Sequence, residues 1–331
     1  MVSIVATAPG RCGLLGNPSD MYGGSVISCT TVERAECRLE VGGRGISLRN
    51  EGKAAELFTR ADLALQRDDL DIARAALTHF EIDPAHERFS MSLQTEIPMR
   101  AGLAGSTAML ATIVGALYAY RGATPSPYHV AETMRKVEAR IMHVVCGFQD
   151  QHMAVFGGLN FMEFRGKERL EQEDDEPLAI VEPLAALVEL PGLVLAHTGV
   201  EHHSGTVHSS PRQRWLEGDP LVRSSYARIA EIARTGKRAM LERKWGLVGD
   251  LMMENHRLVA DLGGSGPENE RLIGVARGAG AIGAKLAGAG GGGTILALTS
   301  DPDRLAAALH AAGAERILRP APQPGLTITA S

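Results

Sequence analysis

The placement of glycine constrains this chain more than any other feature. Three glycine-rich segments lie far apart in its 331 residues. The first runs from Pro9-Gly10-Arg11 through Gly16 and Asp20 to Gly23-Gly24. The second is Pro98 followed by Gly102-Leu103-Ala104-Gly105-Ser106-Thr107-Ala108, and the third runs from Lys285 through Gly288-Ala289-Gly290-Gly291-Gly292-Gly293 to Thr294. One such segment serves an ordinary turn. Three of them, the second leading directly into an apolar helix, outline a phosphate-binding site. Backbone without Cβ atoms wraps a polyphosphate closely, and the helix N-terminus behind it supplies free N–H groups and a positive dipole end.

The bulk numbers agree with an ordinary globular chain of two domains, 44% hydrophobic and 22% charged. Aromatic residues are only 4%, so small aliphatic side chains must build the core. The net charge of −5 excludes a general attraction to nucleic acid. Arginine dominates the basic residues, with six lysines among 34, and forked guanidinium groups suit carboxylate and phosphate. Cys12, Cys29, Cys37 and Cys146 contain no CxxC pair, which points to a reducing cytoplasm. Met1 to Ala6 has no basic n-region and is not expected to be a signal peptide. Ala108 to Tyr120 is apolar but too short to span a bilayer, and reads as a buried helix.

Val2 to Ala6 reads as a strand entering the first glycine segment. Arg34 to Val41 alternates, with Ala35, Cys37, Leu39 and Val41 on one face, as a half-exposed antiparallel strand does. Ala54 to Phe80 reads as helical with a break near Asp68, and Phe89 to Gln94 as a strand. Pro127 to His143 reads as a helix capped by Ser126 with proline in first position. Gly147 to His152 reads as a turn, and Met153 to Phe164 as strand-like. The acidic run Glu171 to Glu176 reads as a solvated loop. Beyond it come a strand at Gly192 to His197 and helices near Pro220–Arg234, Trp245–Ala260 and Glu268–Ala279. Two strands flanking the third glycine segment, a helix from Pro302 and a final strand at Leu326–Ala330 complete the chain. The mixture predicts α+β layers rather than a doubly wound sheet, with a domain boundary between 185 and 186.

The second segment lacks a Gly-Lys-Ser/Thr ending and a Gly-x-Gly-x-x-Gly pattern, so it is neither a Walker loop nor a dinucleotide fingerprint. Ser106 stands at the helix start, where a hydroxyl either caps the helix or binds a metal. Phosphoryl transfer also needs a divalent cation and a group that accepts or orients the nucleophile's proton. The helix from Pro127 carries Glu138, and the uncharged turn after it bears one carboxylate, Asp150, which on its own reads as an ordinary turn residue. His202, His203 and His208 cluster, but no cysteine is near and a zinc site is not expected.

The three segments, in order, resemble the motifs of the GHMP small-molecule kinases, and together they span almost the whole chain. The resemblance implies two domains, an N-terminal one (1–185) like ribosomal protein S5 domain 2 and a ferredoxin-like C-terminal one (186–331). It implies ATP and Mg²⁺ as cofactors. Pro98, Gly102, Leu103, Ala104, Gly105, Ser106 and Thr107 then bind the nucleotide, although Ala104, Gly105 and Thr107 depart from the commonest residues. Ser106 and Glu138 hold the metal. Asp150, seven residues before Gly157, is the catalytic aspartate, and Arg11 lies beside the transferred phosphate. Asp20, Tyr22, Gly23, Gly24, Gly290 and Gly291 shape the acceptor site. Asn17-Pro18 replaces the usual Glu-His, so no role passes to those two residues.

Gly13 to Gly24 and Ser204 to Asp219 are similar to segments of the glucuronokinase branch, and the stretch from Gln149 to Phe161 is similar to bacterial heptose-phosphate kinases. This predicts a cytosolic kinase of a sugar acid. The favoured acceptor is the anomeric hydroxyl of D-glucuronate, with Arg212 and Arg214 on a loop to clamp its carboxylate. Other acceptors, namely a heptose phosphate, a neutral sugar or a mevalonate-pathway acid, stand as alternatives, as does a non-catalytic sugar sensor. The intact set Arg11, Ser106, Glu138 and Asp150 argues against the sensor. The small-molecule partner is a sugar or sugar acid, with no nucleic acid and no membrane, and the chain acts as a monomer or homodimer.

Overall fold

The computed structural model describes residues 2–167, 176–199, 209–288 and 293–331. Two antiparallel-rich sheets organise them. The first has strand order β12-β1-β2-β5-β3-β4, formed by Thr327–Ala330 (β12), Ser3–Leu15 (β1), Ser25–Val41 (β2), Phe89–Thr95 (β5), Ile46–Asn50 (β3) and Lys53–Leu57 (β4). Leu159–Glu163 (β6) and Ile180–Pro183 (β7) extend it beside the first half of β2.

β1 is the element on which the site is hung. The sequence stops this strand at Ala6, but it continues to Leu15 through the glycine segment. Its register against β2 shifts between Pro9 and Arg11 and again between Gly13 and Leu15. Proline has no N–H to give the ladder and glycine admits irregular backbone, so the segment survives as a bulged strand rather than a loop. Every residue from Ala8 to Leu15 is buried.

Gly105–Tyr120 (α2) is buried without interruption from Thr107 to Leu117, as a helix apolar on all sides must be. It packs on β1 and β2. Pro127–Lys136 (α3) begins as expected, with Ser126 Oγ accepting from His129 N at 3.3 Å. It does not run on as α-helix to His143, because Val137–Ile141 forms one π-helical turn. Two further expectations fail locally. Residues 54–57 lie in the β3–β4 hairpin, turned by Glu51 and Gly52 at φ 40° and 85°, and the helix of that region (α1) is confined to Asp71–His79. Residues 149–156 are helix (α4, Gln149–Phe156) rather than turn and strand. Strand pairing and packing override weak local preference at both places.

The second sheet has the order β11-β8-β10-β9, formed by Arg316–Leu318, Gly192–His197, Thr294–Thr299 and Gly283–Leu286. Between β8 and β9 run Ser209–Leu216 (α5), Pro220–Leu241 (α6), Trp245–Asp261 (α7) and Pro267–Gly278 (α8), and between β10 and β11 runs Pro302–Ala311 (α9). Two βα units around a hairpin give the ferredoxin-like order expected. The connection from β7 to β8 contains residue 185, and the final strand β12 crosses back to pair with β1, Ile4 opposite Ala330. Cys12, Cys29 and Cys37 are free and buried in the first sheet. Among the described residues no helix is long and apolar enough to cross a membrane.

Candidate active site

The three glycine segments meet. Arg11 N donates to Leu103 O at 3.0 Å, and a Cβ on Gly10 would come within 2.8 Å of that same carbonyl. A Cβ on Gly288 would stand 2.8 Å from Gly102 O. Gly13 N donates to Ala287 O at 2.8 Å. Close backbone approach, more than turn conformation, is what calls for glycine at positions 10 and 288.

Arg11 is 5% exposed and faces Asp150 across the site. Its Nε donates to Asp150 Oδ1 at 2.7 Å and its Nη2 to Oδ2 at 2.9 Å, while Nη1 reaches Gly102 O at 2.6 Å. One guanidinium therefore locks the aspartate and the second glycine-rich loop together. This bidentate geometry is specific to arginine. Asp150 remains partly open, at 27% side-chain exposure, and each of its oxygens keeps a lone pair for a hydroxyl. It sits in the first turn of α4.

Gly102 and Ala104 both take positive φ, 76° and 59°, just before α2 begins. Ala104 has no side-chain oxygen to cap the helix, so the first-turn N–H groups face the loop uncapped. Ser106 is exposed in that turn, Pro98 is half-buried, and Thr107 points inward. Thr107 Oγ1 donates to Glu138 Oε1 at 2.8 Å, and Gln151 Nε2 donates to Glu138 Oε2. Burial pushes the Glu138 carboxyl up from its ordinary value. The π-helical turn carries this carboxylate to the N-terminus of α2. A dry carboxylate bonded to Thr107, with Ser106 in the same helical turn as that threonine, is the oxygen chemistry that a hard divalent cation takes. Among the described residues no three acidic, histidine or cysteine side chains form a cage.

Asp20 has a role the sequence did not reveal. It is 2% exposed, and its Oδ2 accepts from Phe148 N at 2.8 Å and Gln149 N at 3.0 Å. Gln149 Nε2 also donates to Oδ1 at 3.2 Å. Asp20 thus caps α4 from a distant part of the chain. Burial raises its carboxyl above the ordinary range. Gly23, at φ 73°, closes the short turn Ser19–Tyr22, and a side chain on Gly24 would overlap Ser19. Tyr22 stacks on Tyr226 at 4.1 Å and packs against Trp215 at 5.1 Å.

The two arginines proposed as a clamp separate. They lie on helix α5, not on a loop. Arg214 Nε is held by Asp219 Oδ2 at 2.8 Å, beside the cap of α6, and is engaged there. Arg212 lines a cleft of about 200 Å³ with Met21 and Cys146. Gly290, Gly291, the three histidines at 202, 203 and 208 and the acidic run 171–175 lie outside the described residues.

Behind the site Lys285 is buried, with Nζ donating to Asn17 Oδ1 at 2.8 Å, Leu286 O at 2.6 Å and Gly13 O at 3.2 Å. Burial pushes its amine down to about 7. Asn17 Nδ2 reaches Gly288 O at 2.5 Å, and Asn255 bonds both Gly16 N and Asn17 O. The substitution at Asn17 that the motif left without a role is therefore a junction between the sheets. Lys285 inside the third segment was the available signal.

Residues 70–158 match the family GHMP kinases N terminal domain, and residues 237–316 match GHMP kinases C terminal. Glucuronokinase 1 of Arabidopsis thaliana is 30% identical over 269 residues, covering 74% of this chain and 71% of that protein. Mevalonate kinase of Pyrococcus furiosus is 27% identical over 350 residues, covering 99% and 98%. The crystal structure of a D-glycero-D-manno-heptose 1-phosphate kinase from Bacteriodes thetaiotaomicron superposes with a TM-score of 0.70 at 21% identity, covering 98% of each chain.

Proposed function

Because the chain belongs to the GHMP kinases, we propose that it transfers the γ-phosphoryl group of ATP to the anomeric hydroxyl of a sugar acid. D-glucuronate is the favoured acceptor and glucuronate 1-phosphate the product. The observation that carries the reaction class is the bidentate Arg11–Asp150 pair fastened to the Gly102 carbonyl. The similarity to glucuronokinase supports the acceptor.

In this reading the backbone from Gly102 to Thr107 and the open end of α2 receive the nucleotide phosphates, with Pro98 setting the start of the loop. Ser106 and Glu138 would hold Mg²⁺, which would supply charge compensation for the phosphates. Arg11 fixes Asp150 in one orientation. The acceptor oxygen gives its proton to Asp150 as it bonds to phosphorus, and the bond from phosphorus to the ADP oxygen breaks. An anomeric hydroxyl is more acidic than an ordinary alcohol, which eases the proton transfer. Asp20, Tyr22, Gly23 and Gly24 belong to the acceptor side in this reading, Asp20 through the cap that positions the helix carrying Asp150, and Gly290 and Gly291 are assigned to it by the family motif alone.

ADP release with ATP and Mg²⁺ across glucuronate, glucose, galactose, mevalonate and a heptose phosphate tests the acceptor. Glucuronate should give the highest kcat/KM. A neutral sugar in first place would leave the kinase intact and end the sugar-acid reading.

A further inference from the structure

Arg34 stands directly opposite Pro9 of the first glycine segment, where β1 and β2 shift in register. We propose that Arg34 is a positioning residue for Asp150, acting through the strap 319–326 that joins the two sheets. This role rests on Asp150 serving as the base in the reading above.

The strap runs between β11 and β12 and lies across the end of α4. Leu326 N donates to Val155 O at 3.1 Å, and Gly158 N donates to Gln323 O at 2.7 Å. Gly157 pairs with Pro324 as an isolated antiparallel bridge. A Cβ on Gly157 would lie 2.0 Å from Gly325 N, and one on Gly325 would lie 2.1 Å from Val155 O. Backbone therefore rests on backbone with no side chain between, and such a contact has little room to slide. The same strap reaches α2, where a Cβ on Gly115 would meet the Leu326 side chain at 3.0 Å. Asp20 caps the start of α4 and the strap holds its end, so the helix that carries Asp150 is fixed at both termini.

Arg34 fastens this strap to the strand that carries Arg11. Its Nη1 donates to Pro324 O at 2.7 Å and its Nη2 to Gly325 O at 2.7 Å. On the other side its Nε donates to Thr7 Oγ1 at 2.9 Å, and Nη2 also reaches Thr7 O at 3.0 Å. Thr7 lies on β1, the strand that also holds Arg11. The connections close a ring: from β1 to Arg34, to the strap, to α4 and Asp150, and back to β1 through the Arg11 pair. A rigid planar fork that spans both backbones sets their separation, as a flexible ammonium could not. Thr30 adds another tie, accepting from Gln323 N at 2.7 Å and donating to Ala321 O at 3.0 Å. Loss of the Arg34 fork frees the strap and the end of α4 to shift, and misplacing a reacting group by about 1 Å costs about 10²-fold in rate.

The experiment measures ADP release by the full chain with ATP, Mg²⁺ and D-glucuronate, or the panel acceptor of highest kcat/KM. Arg34→Met should lower kcat by about 10- to 100-fold and leave KM for ATP within about twofold of wild type. Arg34→Lys should recover part of that loss, since charge remains but the fork is gone. Arg34→Met placed in an Asp150→Asn background should change kcat by less than about twofold, because a base already removed cannot be displaced. Thermal melts show which variants are folded; if Arg34→Met is not, Thr30→Val and Arg34→Lys carry the same cycle. Equal proportional losses in both backgrounds, or a loss confined to KM, overturn the positioning role and leave Asp150 as the base. A kcat within about twofold of wild type in Arg34→Met overturns it as well. An Asp150→Asn variant that keeps more than a third of wild-type kcat removes the base itself, and with it the group that Arg34 would position.

Discussion

Gly147 and Asp20 are in contact so close that a methyl group at position 147 would overlap Asp20 Oδ2. The contact lets Asp20 reach the N–H groups of Phe148 and Gln149 and cap the helix that carries Asp150. Gly147→Ala must displace that carboxylate, at a cost of about 1–3 kcal/mol for overpacking. Urea unfolding should show a lower midpoint, with kcat falling alongside it. An unchanged midpoint would mean that the cap tolerates the shift.

Asp150→Asn should lower kcat by about 10²–10⁴-fold, the usual range for loss of a general base. Asparagine keeps the shape but cannot take up the acceptor's proton. Steady-state ADP release decides it, and a variant retaining more than a third of wild-type kcat removes Asp150 from that role.

Glu138→Gln should raise the Mg²⁺ concentration needed for half-maximal activity, because the buried carboxylate beside Thr107 is exchanged for a neutral amide. A Mg²⁺ titration of initial rates at fixed ATP measures this. A titration curve that coincides with wild type would place the metal elsewhere.

Ala104 occupies a left-handed conformation at φ 59°. That conformation costs an L-residue about 1–2 kcal/mol, and glycine relieves it while returning about 0.4–1 kcal/mol to the unfolded chain's entropy. Ala104→Gly should therefore stabilise the protein by roughly 0.5–1 kcal/mol. Denaturant melts of the two proteins side by side provide the comparison, and a less stable glycine variant would refute the strain.

Lys285 imposes a pH dependence. In the unfolded chain its amine keeps its proton up to the ordinary value of 10.5, whereas burial brings the folded value to about 7. Between those limits the unfolded state binds more protons, so stability rises with pH through that window. Lys285→Met should flatten the slope of unfolding free energy between pH 7 and 10, whatever it does to the absolute value. Parallel slopes in the two proteins would count against this origin.

Much of the site could be read along the chain because its parts are local. A serine before a proline starts α3, an all-apolar run makes α2 a buried helix, and glycine segments mark where backbone must come close. Other parts depend on neighbours remote in sequence. The first glycine segment looked like a loop because proline and glycine break regular strands, yet pairing with β2 carries it as a bulged strand. Residues 54–57 had helical composition but complete a hairpin with β3. Nothing in Arg212-Gln213-Arg214 distinguishes the arginine that reaches the cleft from the one tied to Asp219.

The sequence by itself determined the family, the three glycine-rich backbone segments and the candidate carboxylates. Those features are written in residue type and spacing, through glycine's missing Cβ and the period of apolar residues. Only the tertiary structure decided which groups stand together. Arg11 meets Asp150 across 139 residues, and Asn17 meets Lys285 across 268. Such pairings follow from sheet register and helix packing, which sum many weak contacts over the whole chain, and no local pattern encodes them.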